Sequence, residues 1–373
     1  MSLLDHPTRR LALVGRLAET WVHRPPSPTR VVLDVTRRCN LRCRMCHTWR
    51  APSEGELTLS ELDALLSSLP RLVWLDVTGG EPFVRRDAQE LLGLAMQRPP
   101  ALQVLHFQTN GWATDRIVEA TAATRAQRTG VELIVTVSID GPPSVHDAIR
   151  GRPGSFERAL ATLRALWALP GVEVHVGTTI TPDNADAIDE LLECLLDAVP
   201  GFHARRWHFN WAQVSRHFYG NEHVRAWPKV PPAGLLSRLR RRRGPPTGLV
   251  ELMEQLYLLH LEFVQRGEPS GIPCQALRST LFVSPEGELY PCHLYDRPLG
   301  NLREHDLATL WASPAVAAAR RDIEALACGG CFSACEAYPA LAGAPVATVR
   351  QTARRALTLW NERRAHGPRD EIG

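Results

Sequence analysis

Cys39, Cys43 and Cys46 stand in the run Cys-Asn-Leu-Arg-Cys-Arg-Met-Cys, directly after the apolar stretch Val31-Val32-Leu33-Asp34-Val35. Three thiolates on one short loop suit a [4Fe–4S] cluster with one iron left without a protein ligand. Structural zinc wants four protein ligands, commonly as two close pairs, and catalytic zinc mixes in His or carboxylate. The triplet alone supplies neither pattern. Further along come Thr78-Gly79-Gly80-Glu81-Pro82, whose two glycines let backbone approach a ligand closely, and Gln108-Thr109-Asn110-Gly111, where Asn-Gly is first of all a turn signal. Ser138-Ile139-Asp140-Gly141 continues through His146-Asp147 to Arg150.

These residues need a scaffold, and the chain shows one. Between residues 31 and 211, six β-rich apolar runs alternate with helical patterns of Leu and Ala. The strands are expected at 31–36, 72–77, 102–107, 131–138, 172–180 and 206–211. Their helices are expected near 59–68, 87–97, 114–126, 155–168 and 184–198, with Ser60/Asp63 and Asp183/Asp186 as helix-start signals. Such alternation implies a parallel sheet covered by helices. Six units rather than eight suggest an open barrel whose chemistry sits on loops at the C-terminal ends of strands. Every motif named above falls on such a loop.

The cysteine loop after the first strand, followed one unit later by Gly79-Gly80-Glu81-Pro82, resembles the radical S-adenosylmethionine superfamily. That resemblance implies an α/β fold, a partial (βα)6 TIM barrel. It also implies a [4Fe–4S] cluster on Cys39, Cys43 and Cys46 whose open iron is chelated by S-adenosyl-L-methionine. By the same resemblance Gly79, Gly80 and Glu81 bind the methionyl ammonium; Asn110, at the end of the third strand, is a further candidate cofactor-binding residue, with a plain turn as the alternative. Ser138 hydrogen-bonds S-adenosylmethionine and Arg150 pairs with its carboxylate, a task suited to a guanidinium fork. Asp140 and His146 are expected to fix their loop. The implied chemistry is reductive cleavage to a 5′-deoxyadenosyl radical, which takes hydrogen from a substrate.

A second cysteine group reads Cys274, then Gly287 and Cys292, then Cys328, Cys331 and Cys335. Its spacing resembles a C-terminal iron–sulfur (twitch or reduced SPASM) domain, in which a small hairpin carries auxiliary clusters. A full SPASM domain has seven cysteines, whereas five stand here. One auxiliary [4Fe–4S] cluster is therefore expected, and four thiolates saturate it. Cys274, Cys292, Cys328 and Cys331 are the favoured ligands, with Cys335 as the alternate and tetrahedral zinc as the competing metal. His293 stands where sulfatase-maturing relatives carry an aspartate base. It is the candidate catalytic residue, since His accepts a proton near neutral pH; donation to a cluster sulfur is the alternative.

Composition narrows the partners. With 373 residues, 44% hydrophobic and 22% charged, and a net charge of +3, the chain reads as a globular protein with no nucleic-acid role. Gly15, Arg16 and Glu19 interrupt the N-terminal apolar stretch too early for a signal peptide or a membrane span, so a cytoplasmic location is expected. Nine cysteines in such a compartment argue for metal or redox chemistry rather than disulfides. Cys194 reads as core, and Trp207, Trp211 and His208 as either cavity or core. Arg240–Arg243 reads as a solvated loop, able to dock an acidic peptide or a redox partner.

The expected organisation is an N-terminal helical extension (1–29), barrel (30–215), linker and bridging helix (216–270), auxiliary-cluster domain (271–340) and helical tail (341–373). The expected function is oxidative modification of a ribosomally synthesised peptide. Dehydrogenation of a carbohydrate or small alcohol is the alternative enzyme. An iron–sulfur electron carrier or a zinc-stabilised binding module is the non-enzymatic one. A flavodoxin- or ferredoxin-type donor would supply electrons. A separate leader-peptide-binding protein is expected, because about thirty residues before the first strand are too few for a winged-helix leader-binding domain.

Overall fold

The computed structural model describes residues 20–21, 23–223, 234–328 and 330–366. The N-terminal extension falls largely on residues 1–19 and 22, outside the described residues. Six parallel strands form the barrel wall: β1 Arg30–Asp34, β2 Trp74–Thr78, β3 Val104–Thr109, β4 Glu132–Ser138, β5 Val172–Ile180 and β6 Trp207–Trp211. They neighbour one another in chain order, each pair in parallel register. All six expected strands form, within about two residues of their expected ends.

The covering helices are α1 Leu59–Ser67, α2 Ala88–Gln97, α3 Thr114–Gln127, α4 Pro143–Arg150, α5 Ser155–Trp167 and α6 Ile188–Ala198. Thr58 with Glu61 makes the capping box of α1, two residues before the expected Ser60/Asp63 pair. The start of α6 is likewise displaced: a short 3-10 turn, Ala185–Ala187, precedes it. Helix α4 was not anticipated from the sequence, where Pro142-Pro143 reads as a break. Proline is tolerated in a first helical turn, and Gly151 in the left-handed region closes the helix.

Strand alternation sorts side chains between two faces. Leu33, Leu75, Val77, Phe107, Val135 and Val176 join the helix-side core with Leu66, Leu91, Ile117, Leu163 and Leu191. Trp207 and Trp211 lie in that core too, so they are not cavity residues, whereas His208 takes the opposite face. That inner face is unusually polar for a barrel, where branched apolar residues normally fill the interior. Arg30 pairs with Asp76 at 2.7 Å, Asp76 lies 2.7 Å from His106 Nδ1, and His106 Nε2 lies 2.9 Å from Thr136 Oγ1. The belt continues through His175 and His208, with ring centroids 4.2 Å apart.

The C-terminal part completes this barrel. Helices α7 Leu235–Arg243 and α8 Leu249–Gln265 precede a hairpin, β7 Thr280–Val283 and β8 Leu289–Tyr290. Strand β7 pairs in parallel with β1, Arg30 opposite Thr280, so the hairpin extends the barrel sheet. Helices α9 Leu307–Trp311, α10 Pro314–Glu324, α11 Ala334–Gly343 and α12 Pro345–His366 follow. Helix α11 packs on α8 and β6, and its Tyr338 hydroxyl donates to Glu254, which also binds His208 at 2.7 Å. The arginine run corrects the expected solvated loop. Arg240–Arg243 form the last turn of α7, and Arg243 is buried, donating to the carbonyls of Ala204, Arg205 and Trp207. Cys194 is half-buried on α6 against the main core.

Gly151 has φ of +66°, and a Cβ there would stand 2.5 Å from the Arg42 carbonyl; Gly154, at φ +77°, faces open space. Gly151→Ala is therefore expected to destabilise by about 2–4 kcal/mol, strain plus backbone clash, and Gly154→Ala by about 1 kcal/mol. Urea unfolding of the two variants checks the difference.

Candidate functional site

The first cysteine loop, residues 35–46, has no regular structure, so its backbone polar groups need partners elsewhere. The next loops supply them. Val35 N donates to Thr78 O at 2.9 Å, Gly80 N to Thr36 O at 2.7 Å and Glu81 N to Arg38 O at 2.9 Å. From the other side Arg42 N donates to Arg150 O at 3.0 Å and Arg44 N to Ile149 O at 2.9 Å. Gly80 fits so closely that a Cβ would meet the Arg38 carbonyl at 2.3 Å. The three thiols thus sit among Leu41, Met45 and Ile149, with the loop after β2 and the last turn of α4 bonded around them.

Glu81 is fully buried and braces two of these loops. Its Oε2 accepts Asn110 N at 2.7 Å, and its Oε1 accepts Thr109 Oγ1 at 2.9 Å and Phe83 N at 3.3 Å. Burial pushes its pKa up to about 7 against those bonds. Both oxygens are therefore engaged within the chain. Asn110 reaches back to Asn40 Oδ1 at 2.7 Å and lies 3.9 Å from Cys39 Sγ. Ser138 ends β4 on the inner face, half-buried and opposite Gly177.

Arg150 is buried with its Nε 2.7 Å from Asp140 Oδ2 and its Nη1 3.9 Å from Cys43 Sγ. The Asp140 carboxylate also accepts Thr179 N at 2.9 Å, and Asp140 N donates to His146 Nδ1 at 3.0 Å. Asp140 and His146 thus hold the loop that presents Arg150. Burial and the Arg150 charge lower His146 to about 3, leaving a neutral ring.

Burial drives the first three thiols upward, Cys39 to about 11 and Cys43 to about 12, with Arg150 opposing in each case. At neutral pH such thiols ionise only when a strongly electropositive group takes them. Three thiols on one apolar loop with a guanidinium beside them match the donor set of a cluster that takes three cysteines.

The second set brackets the hairpin: Cys274 precedes β7, Cys292 follows β8, Cys328 and Cys331 lie before α11, and Cys335 is in its first turn. Burial raises Cys331 to about 11 and Cys335 to about 12, and it raises Cys274 and Cys292 as well. Cys331 acts electrostatically on Cys274, Cys292 and Cys335, so these thiols share one neighbourhood. Backbone N–H groups already point at two sulfurs, Ala276 N to Cys274 at 3.4 Å and Leu294 N to Cys292 at 3.5 Å. Such bonds stabilise cluster thiolates. Cys335 differs, because among charged groups Arg30, which lowers its pKa, and Asp76, which raises it, act on it most strongly, and Arg30 Nη1 donates to its carbonyl at 2.5 Å. Among the described residues, no three His, Cys, Asp or Glu side chains converge on a single-ion site.

His293 is buried edge-on to Phe218 and Tyr219, and neither ring nitrogen has a partner. Burial, with His217 and Arg30 nearby, lowers its pKa to about 3. As folded it is a much weaker base than its position in the sequence suggests. Sequence reasoning missed Glu336, buried beside the second cysteine set with its pKa raised to about 7 by burial. It also missed the Arg30–Asp76–His106 belt. The signal for the belt was present, since charged residues interrupt strands that should read as continuous apolar runs when buried on both faces.

Residues 33–195 match the Radical SAM superfamily, and residues 274–332 match SPASM, an iron–sulfur cluster-binding domain. Pre-heme d1 synthase of Dinoroseobacter shibae is 36% identical over 172 residues, 45% of this chain and 40% of that protein. This chain therefore spans less than half the length of that relative. AdoMet-dependent heme synthase of Oleidesulfovibrio alaskensis is 26% identical over 77% of this chain and 75% of its own. The antilisterial bacteriocin subtilosin biosynthesis protein AlbA of Bacillus subtilis is 25% identical over 78% and 61% respectively. The fold resembles Streptococcus suis SuiB bound to S-adenosylmethionine, with a TM-score of 0.58 at 15% identity over 84% of this chain and 72% of that one.

The raised Glu81 value carries a sign. Its folded pKa of about 7 exceeds the ordinary 4.5, so its contribution to stability is full below pH 4.5 and is lost as pH rises through 7. Without iron, the protein is expected to lose up to about 3 kcal/mol from this group between pH 4.5 and 8. Glu81→Gln is expected to flatten that part of the profile. Denaturant unfolding across this range, parent against variant, reads the difference.

Proposed function

Because this chain belongs to the radical SAM superfamily and carries its SPASM iron–sulfur domain, we propose that it oxidises unactivated carbon in a ribosomally synthesised peptide. The observation that supports this reading is that both cysteine sets are tied to β1, the first following it at the C-terminal ends of the strands and the second bracketing the hairpin whose β7 pairs with it. A [4Fe–4S] cluster with S-adenosylmethionine, when bound at the first set, supplies hydrogen-atom abstraction. Cys39, Cys43 and Cys46 hold it, and Arg150 offsets thiolate charge beside Cys43. Gly79 and Gly80 bring backbone against the cysteine loop, and Glu81 with Asn110 fixes the loops that meet there. Ser138 faces the same interior from β4.

Cys274, Cys292, Cys328 and Cys331 hold one auxiliary [4Fe–4S] cluster, with Cys335 as the alternate ligand. The neutral His293 ring offers a hydrogen-bond donor and acceptor near this second set rather than a base. The inner-face belt keeps a polar floor under the substrate. A flavodoxin- or ferredoxin-type protein would donate electrons, and a separate protein would bind the peptide's leader. AlbA, named for subtilosin biosynthesis, supports a peptide substrate. Modification of a tetrapyrrole is the second reading, favoured by the 36% identical stretch shared with pre-heme d1 synthase. Among the described residues, no helix is long and apolar enough to cross a membrane.

Anaerobic reconstitution is expected to give about eight irons per chain. With dithionite and S-adenosylmethionine it is expected to form 5′-deoxyadenosine. The Cys39/Cys43/Cys46→Ala triple variant is expected to keep about four irons and form none. Loss of two hydrogens from a co-expressed peptide, read by mass spectrometry, supports the peptide substrate; the same loss from an added porphyrinogen and not from peptide would favour the tetrapyrrole. Formation of no 5′-deoxyadenosine by the fully loaded parent would reject the enzymatic reading.

A further inference from the structure

The two cysteine sets lie far apart in the chain, yet one short loop after β6 is bonded to both. On one side Asn221 Nδ2 donates to Met45 O at 2.8 Å, Tyr219 O accepts His47 N at 2.7 Å and Phe218 O accepts Thr48 Oγ1 at 2.5 Å. These three contacts straddle Cys46, whose Sγ lies 3.3 Å from Thr48 Oγ1.

On the other side the His217 ring stacks on Tyr290 with centroids 4.0 Å apart and planes 9° apart. Its Nε2 lies 3.1 Å from Cys292 O and its Nδ1 2.7 Å from Asp296 Oδ1. The loop is also closed on itself, because Ser215 N donates to Asn221 Oδ1 at 3.0 Å and Tyr219 N to Ser215 Oγ at 3.1 Å. Ser215 and Asn221 are essentially inaccessible to solvent. Between the two sides, Phe218 and Tyr219 pack edge-on against His293.

We propose that residues 215–221 are a rigid spacer fixing the separation and orientation of the two cluster-binding loops, with His217 and Asn221 as its positioning residues. A self-bonded loop anchored by buried Ser215, His217 and Asn221, with fixed contacts at both ends, transmits position rather than absorbing it. Neither residue touches the reacting atoms. The spacer matters because transfer between two redox sites, or a substrate held between them, depends on their separation. The proposal rests on the reading that each cysteine set holds a cluster.

The test uses the reconstituted holoprotein, its two clusters reduced with dithionite, and reads their magnetic coupling by low-temperature EPR. The parent is expected to show one well-defined coupling. His217→Phe keeps the stack on Tyr290 but loses both ring hydrogen bonds, and Asn221→Ala loses the link to Met45. Each is expected to broaden the coupling roughly twofold while retaining about eight irons. Thr48→Val, which removes the Phe218 bond together with the hydroxyl contact to Cys46 Sγ, is expected to give intermediate broadening. Couplings as sharp as the parent's in variants that retain iron overturn the spacer role. A parent with only one reduced cluster overturns the two-cluster premise instead, and its spectrum shows this before any variant is made.

Discussion

The structure depends on how an irregular stretch of backbone is satisfied at the C-terminal ends of the strands. Residues 35–46 cannot use a helix or ladder for their polar groups, yet the bend must place three thiols together in an apolar pocket. The solution is main-chain bonding to the loop after β2 and to the last turn of α4, and side-chain bonding to Asn110 after β3, with Gly80 and Gly151 where a side chain would forbid the approach. Strand order is thereby converted into site geometry. Each loop that braces the thiols follows a different barrel unit, so the site forms only when β1 to β4 and α4 are in register.

A second constraint joins the C-terminal part to this site. Arg30 on β1 is paired with Asp76, donates to the Cys335 carbonyl and acts electrostatically on Glu336. Since β1 is also the strand on which β7 adds, both cysteine sets are referenced to the same strand. Replacing one member of a buried ion pair leaves the other charge uncompensated, a loss of about 3–5 kcal/mol. Arg30 is therefore costly to alter, whether or not it touches substrate. The pairing of β7 with β1 gives the barrel and the C-terminal hairpin one shared sheet.

Much of this was legible in the sequence, for definable reasons. The six strands are parallel and buried, so they read as apolar runs, and the loops after β1, β2 and β4 carried recognisable residue sets. Helix α4 was hidden by Pro142-Pro143. The joining of β7 to β1 was hidden because pairing partners some 250 residues apart leave no local trace. Trp207 and His208 were ambiguous until strand alternation assigned one to the core and the other to the interior. His293 shows the limit most clearly: its place after Cys292 suggests a base, but burial against aromatic rings makes protonation unfavourable. Residue type and spacing carry chemistry forward only if the dielectric around the residue allows it.

The same burial shapes how the site is filled. Cys39 and Cys43, held near 11 and 12, retain their protons at neutral pH, so binding iron must release them. Each released proton makes loading more favourable by about tenfold per pH unit while the thiol remains protonated. Glu81 works in the opposite sense, since its neutral form suits the empty fold and ionising it costs stability. Raising pH therefore weakens the empty fold while strengthening the drive to fill it. The empty and loaded proteins must consequently have different pH optima of stability, the loaded one more alkaline. A fold that buries thiols and a bracing carboxylate together thus couples occupancy to pH, because the cluster must displace the protons that burial holds on the cysteines.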